Sequence, residues 1–197
     1  MTAPSRKPRQ KETGSPETRQ RLLDITERLM IEEGYAAVGI RRVAREANVT
    51  PPLVLYYFRS LDDLFLALLR RGGDEEIERQ RKVLRSREPL RALWELGNHP
   101  QAALITEEFI ALGNHRKAIR AEITAQAERY RAAQLESLLE AVAEGRLELN
   151  GVSPMAAVVM TTVLSRVLVM EDTMGLTLGH AEAFELVEQL LGRFAKP

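Results

Sequence analysis

The chain has 197 residues, 45% hydrophobic and 28% charged, with 28 Lys and Arg balancing 28 Asp and Glu. That length holds a sizeable core in one or two domains, and the composition is that of an ordinary soluble globular protein. With no Cys, disulfides, thiolate metal sites and thiol redox sensing are excluded.

The zero net charge is unevenly spread. Residues 1–60 carry 11 Lys and Arg against 7 Asp and Glu, whereas the remaining 137 carry 17 against 21. A basic front on an acidic body suggests that one part meets phosphates while the other has a different task. Met1 to Gly14 is polar, Pro-bearing and cationic, which predicts a disordered basic arm over residues 1–14. Its composition is not that of a secretory signal, so a cytoplasmic location is expected. Arg6, Lys7, Arg9 and Lys11 would add nonspecific phosphate attraction, although a solubilising tail has the same composition.

Ser15-Pro16-Glu17 reads as a helix start: a cap, a proline where no N–H is needed, and an acid near the positive dipole end. Leu22, Ile25, Thr26 and Leu29 form one face, and Gly34 supplies a stop. Gly39 opens a second, short helix with Ile40, Val43, Ala44 and Ala47 on one side. Asn48 suits the left-handed turn that ends it. Thr50 then caps a third helix whose first positions are Pro51 and Pro52, and which closes near Arg59-Ser60. Two short helices joined by a tight turn, with small Ala44 and Ala47 permitting close approach, have the geometry of a helix-turn-helix. The second of such a pair presents its N-terminal residues to base edges in the major groove.

These residues resemble the tetracycline-repressor (TetR) family of bacterial regulators. The resemblance lies in Gly34-Tyr35, Ile40-Arg-Arg-Val-Ala-Arg-Glu-Ala-Asn-Val-Thr50, Leu55-Tyr-Tyr-Phe58 and Asp62-Asp63-Leu64, and covers roughly residues 17–66. Departures stand out at four positions: Asn48 where the family usually has Gly, Leu55 and Tyr57 for the usual Tyr and His, and Leu61 for a common Lys. The resemblance implies an all-α protein, with a three-helix helix-turn-helix DNA-binding domain over 15–60 and a larger helical effector-binding and dimerisation domain over 61–197. Arg41 would reach a guanine edge or a phosphate, and Arg42 the backbone. Thr50 would bond a phosphate, while Pro51, Pro52 and Leu53 would face thymine methyls. Tyr56 would contact a base or sugar, and the Tyr57 hydroxyl a phosphate. Phe58 and Val54 are expected in the core. For the two tyrosines the plain alternative is a half-buried aromatic pair; for Arg41, Arg42 and Arg45 it is a solvated helix face.

Beyond residue 60 the pattern predicts a helical bundle. A connecting helix over 61–86 is expected to kink at Gly72-Gly73, followed by helices over 88–98, 100–114, 115–145, 155–174 and 179–194. Met155 to Met170 is the most apolar stretch; broken by Arg166 and short for a bilayer, it reads as a buried helix, with no membrane role. The last two helices are apolar widely enough to cover a core and a partner's matching surface. In the resembling family they form the dimer interface, which implies Val159, Val163, Val167, Val187, Leu190 and Phe194 as contacts in a homodimer on palindromic double-stranded DNA.

The family likeness also implies a pocket for a small-molecule effector. Trp94, Leu104, Phe109, Met160, Met170 and Met174 are adaptable apolar candidates, with Glu107 and Glu108 as polar orienting groups; plain core is the alternative. No cofactor is expected. Zinc at His99 and His115 lacks supporting ligand spacing. The carboxylate pairs Asp62-Asp63 and Glu107-Glu108 diverge by about 100° on a helix, and no nucleophile or phosphate-cradling motif is present, so an enzyme is not expected. The functional reading is a ligand-responsive transcriptional repressor. Its rival is a helical protein-interaction module with no specific DNA target.

Overall fold

A computed structural model describes residues 15–194. The expected arm, with Arg6, Lys7, Arg9 and Lys11, lies outside the described residues. The described chain is all-α: α1 (Pro16–Glu33), α2 (Ile40–Glu46), α3 (Pro51–Tyr57), α4 (Leu61–Leu84), α5 (Pro89–Gly97), α6 (Pro100–His115), α7 (Lys117–Ala143), α8 (Pro154–Thr173) and α9 (His180–Phe194). One 3₁₀ turn, Tyr35–Ala37, joins α1 to the second helix and has no counterpart in the pattern read from sequence.

Five helices, α1, α3, α5, α6 and α8, start on a proline, where the missing N–H costs no intrahelical bond. Hydroxyl caps close two starts: Ser15 Oγ accepts from the Thr18 N–H at 3.2 Å, and Ser60 Oγ from the Asp63 N–H at 3.1 Å. Gly34, at φ 82°, turns the chain out of α1. Asn48 at φ 54° takes the left-handed conformation that separates α2 from α3.

Two apolar cores organise the helices. The first joins Leu22, Leu23, Leu29 and Met30 of α1 to Val43, Val54 and Phe58, and to Leu64, Phe65 and Leu68 of α4. It continues into Phe109, Leu112 and Ile119 from α6 and α7, so the first core does not stop at residue 60. The second gathers Leu84, Leu90, Leu93, Trp94, Leu138, Val158, Leu168, Val187 and Leu191. Helix α4 contributes its first half to one core and its C-terminal Leu84 to the other.

The expected kink in α4 does not break the helix, which runs through Gly72 and Gly73 without interruption. Gly73 serves close approach instead: a Cβ there would lie 2.7 Å from Gln126 Nε2 on α7, which is already donating to the Leu69 carbonyl at 2.8 Å. Helices α5 and α8 meet by a similar device, since a Cβ on Gly97 would overlap the buried Ser165 hydroxyl. Gly72 faces open space.

These contrasts fix an order of stabilities measurable by urea unfolding. Gly72→Ala is expected to stabilise by about 0.5–1 kcal/mol, because alanine restricts the unfolded chain and suits a helix interior. Gly97→Ala is expected to destabilise by about 1–3 kcal/mol through overpacking against α8. The reverse order would contradict the packing described.

Candidate functional site

Helices α2 and α3 are seven residues each and are held at a fixed angle by shared burial. Val43, Ala44 and Ala47 are buried on one side of the turn, and Val54 and Phe58 on the other. Arg21 on α1 donates to the Ala47 carbonyl at 2.9 Å, pinning the end of α2. With Val54 and Phe58 inward, α3 turns Pro51, Pro52, Leu55, Tyr56 and Arg59 to solvent. Tyr56 is 72% exposed, an unusual cost for a large aromatic side chain.

Thr50 occupies the cap position of α3, yet its hydroxyl makes no capping bond. The reason is local: the two residues after it are prolines, and the Leu53 N–H is taken by the Thr50 carbonyl at 3.0 Å. The exposed hydroxyl is therefore left available to a ligand such as a phosphate.

The arginines divide into two groups. Arg42 pairs with Glu33 at 2.7 Å and Glu46 at 3.1 Å, and Arg28 with Glu46 at 3.3 Å. Hydrogen bonding from Arg28, with the charge of Arg42 beside it, holds the Glu46 carboxyl below its ordinary range. An acid next to the reading helix is thus neutralised by its neighbours. Arg41, Arg45 and Arg59 are exposed and make no ion pair among the described residues. Of the three, sequence reasoning favoured Arg41, left Arg45 open and did not single out Arg59; only the inward placement of Val54 and Phe58 selects that face.

The tyrosines also separate. The Tyr57 ring is half-buried, packs edge-on against Tyr56 with centroids 5.4 Å apart, and its hydroxyl donates to the Ser15 carbonyl at 3.0 Å. That proton is already committed to tying α3 to the start of α1. Leu53 is half-buried. Of the expected DNA-facing set, Arg41, Thr50, Pro51, Pro52 and Tyr56 are exposed, whereas the polar groups of Arg42 and Tyr57 are engaged inside the chain.

Between the two cores lies a cavity of about 360 Å³. Helix α4 lines it with Leu69, Gly73, Glu76 and Gln80, and α7 with Gln126, Tyr130 and Gln134 at helical spacing. Phe109 and Ile105 of α6 and Thr162 and Arg166 of α8 complete much of the wall. Burial, with the charge of Glu76 adding to it, pushes the Tyr130 hydroxyl up to about 12, so it stays a neutral phenol.

The expected lining and the observed lining share Phe109. Trp94 is buried in the second core, edge-on to Phe184 at 5.9 Å, and Met160 and Met174 are each 67% exposed. Leu104, Glu107 and Met170 are half-buried and do not line the cavity. Apolar type and period placed these residues on helices but not on a particular face. The two expected carboxylate pairs are dispersed: Asp62 pairs with Arg116, and Glu108 accepts from the Tyr35 N–H at 2.6 Å. That last bond fastens α6 to the turn below α1.

The residues expected at the dimer interface fall in different settings within one chain. Val187 is buried in the second core, Val163 lines the cavity, and Val159, Val167 and Phe194 are half-buried. Leu190 is exposed, together with Met155, Met160, Leu176, Leu178, Phe184 and Leu186. Helix α8 also extends to Thr173. At 20 residues it is long and apolar enough to cross a membrane, contrary to what Met155–Met170 alone implied, and 28% of its apolar window is buried. It nevertheless packs along α5, α6 and α7, with Ser165 fully buried.

Tyr57→Phe tests the tie between α3 and α1. Loss of the hydroxyl is expected to lower stability to urea by about 0.5–1.5 kcal/mol; unchanged stability would mean that the bond to Ser15 contributes nothing.

Residues 22–68 match the family model of bacterial regulatory proteins, tetR family. The chain is 31% identical over 96 residues to the HTH-type transcriptional regulator AcrR of Shigella flexneri, covering 47% of this chain and 44% of that protein. It is 34% identical over 70 residues to the HTH-type transcriptional activator FasR of Mycolicibacterium smegmatis, covering 36% and 32%. The matches thus span less than half the length of these curated relatives. The fold extends further: a TetR transcription regulator from Haloarcula marismortui superposes with a TM-score of 0.73 at 17% identity, over 92% of this chain and 100% of that one. The motif over α1 to α4 is thus similar to that of the tetR family of bacterial regulatory proteins, and the bundle behind it shares the fold of a TetR transcription regulator.

Proposed function

We propose that the protein is a ligand-responsive transcriptional repressor that binds a palindromic operator as a homodimer. The observation that carries this reading is the outward face of α3, where Pro51, Pro52, Leu55 and Tyr56 stand exposed, with Arg41 and Arg45 of α2 and Arg59 just after α3 exposed and without an ion pair among the described residues. An apolar strip accompanied by cations matches a groove floor with thymine methyls between phosphate rails. Arg41 and Tyr56 read bases, Thr50, Arg45 and Arg59 bind phosphates, and Leu53 supports the apolar strip from beneath. Arg42 and Tyr57 act indirectly, by holding the reader in place. A domain break near residue 60 is retained as a functional division, although the first core crosses it.

The homodimer is supported by the uncovered apolar surface of α8 and α9. Helix α9 packs chiefly on α5, and much of its remaining surface is Phe184, Leu186 and Leu190. A two-fold partner seated there removes this surface from water and places two reading helices on one duplex. The same seating covers α8, so the reading is of a cytoplasmic protein and not of a membrane span.

Effector response follows from the route between cavity and reader. Leu68 of α4 belongs to the first core, and Gly72, one turn later, lines the cavity. Arg71 between them bridges to Glu27 at 2.6 Å and to Asp24 on α1. A ligand that fits the cavity better when α4 is displaced weakens DNA binding by its difference in affinity for the two arrangements, typically about 1–3 kcal/mol.

DNA selected from a random pool supplies the operator for two tests. In mobility-shift titrations, Arg41→Ala and Tyr56→Ala are each expected to cost about 1–3 kcal/mol of specific affinity while the protein stays folded and dimeric. Unaltered affinity in both variants, or failure to enrich any palindrome, would overturn the reading. For the dimer, Leu186→Arg combined with Leu190→Arg is expected to give a folded monomer in sedimentation and to lose cooperative operator binding. A variant that remains fully dimeric would move the interface elsewhere.

A further inference from the structure

The cavity wall carries a hydrogen-bond relay with a fixed direction. Gln80 Nε2 on α4 donates to Glu76 Oε1 at 2.7 Å, and Gln134 Nε2 on α7 donates to Gln80 Oε1 at 2.7 Å. A carboxylate paired with a guanidinium, as Glu76 is with Arg79, only accepts. Gln80 must therefore turn its nitrogen to Glu76 and its oxygen to Gln134. Gln134 must then give its nitrogen to Gln80. The carboxylate thus settles the orientation of both amides, which otherwise differ little in shape from their flipped forms.

The relay ends on Gln134 Oε1, a buried oxygen with no hydrogen-bond partner among the described residues. Gln134 is 4% exposed and Gln80 8%, so both amides are nine-tenths buried, and both line the cavity. Gln126, two turns before Gln134 on the same stripe of α7, likewise commits its nitrogen to a protein acceptor, the Leu69 carbonyl. A buried, unmatched acceptor is unfavourable by itself and rewards any ligand donor that the Gln134 side chain can turn to meet.

We infer that the cavity selects an apolar ligand bearing a hydrogen-bond donor, which it delivers to Gln134 Oε1, and that Glu76 imposes this preference by setting the direction of the relay. The inference rests on the reading of the cavity as an effector site. A hydroxyl or amide N–H meets the requirement; an ether or ester oxygen at the same place faces an oxygen and is rejected. Glu76 is a specificity-determining residue that need not touch the ligand.

Calorimetric titration of the full chain with naphthalene, β-naphthol and β-naphthyl methyl ether tests this, because the three probes share one apolar body. β-Naphthol is expected to bind about tenfold more tightly than its methyl ether, the scale of one buried hydrogen bond. In Glu76→Gln the relay gains freedom to reverse, since an amide at that position both donates and accepts. Gln134 then offers either end, and the preference is expected to shrink to about twofold or less with naphthalene affinity unchanged. Equal binding of β-naphthol and its ether to the native chain overturns the inference while leaving the cavity as an apolar ligand site. A tenfold preference that survives Glu76→Gln overturns the role of Glu76. If none of the three probes binds, the effector-site reading falls, and this inference with it.

Discussion

Every functional element of this molecule depends on α4 being one continuous helix shared by two cores. Its first turns are locked into the head by Leu64, Phe65 and Leu68. Its middle turns face the cavity with Gly73, Glu76 and Gln80, and Leu84 closes in the second core. A helix resists bending because each residue is tied to another four away. Displacement at Gly73 or Gln80 therefore appears at Phe65. Gly73 sharpens this dependence, since its missing Cβ lets Gln126 lie against α4 and bond the Leu69 carbonyl. The contact that joins head to body is made on the same stretch that lines the cavity.

A second set of ties limits how the head can respond. Glu108 on α6 holds the Tyr35 N–H, Arg71 on α4 spans to Asp24 and Glu27, and Arg116 meets Asp62. These polar links sit partly in solvent, so each contributes little to stability alone. Their value is geometric. They tie the head to α4, α6 and the start of α7, and none of them draws on α2 or α3. The reader is stiffened separately, by Arg42 between Glu33 and Glu46 and by Tyr57 on the Ser15 carbonyl. Two side chains with the chemistry to touch DNA are thereby spent on keeping its neighbours in position.

The sequence was most legible where local chemistry decides the backbone. Proline starts, the Gly34 stop and the left-handed Asn48 marked the helix-turn-helix, and the all-helical body followed from period alone. Legibility failed where a helix is apolar on more than one side. On α8 and α9, valines, methionines and leucines spread around the axis, so period did not tell core Val187 from exposed Leu186. Trp94 looked like a pocket residue by type, yet it packs on Phe184 in the second core. The polar wall of the cavity was missed for the opposite reason. Gln80, Gln126 and Gln134 are ordinary helix-surface residues in sequence, and only the approach of α4 to α7 buries them. Gly73 was the available signal, and it was read as a kink.

Under the proposed effector response, that polar wall is what would tie a small ligand to the placement of α4. Coupling between effector and DNA needs about 1–3 kcal/mol, the amount at stake when a buried polar atom gains or loses one partner. The relay has two members on α4 and one on α7, so its geometry changes whenever those helices shift relative to each other. A donor seated on Gln134 Oε1 senses the position of Gln80, and through it that of α4, more sharply than apolar contact does, because hydrogen bonds weaken steeply with angle and distance whereas dispersion falls off gently. Apolar lining supplies affinity to both arrangements of the helices alike, and uniform affinity shifts no equilibrium. In the proposed mechanism, discrimination between DNA-competent and DNA-incompetent states would therefore fall to the few directional groups, which in this cavity lie on α4 and α7.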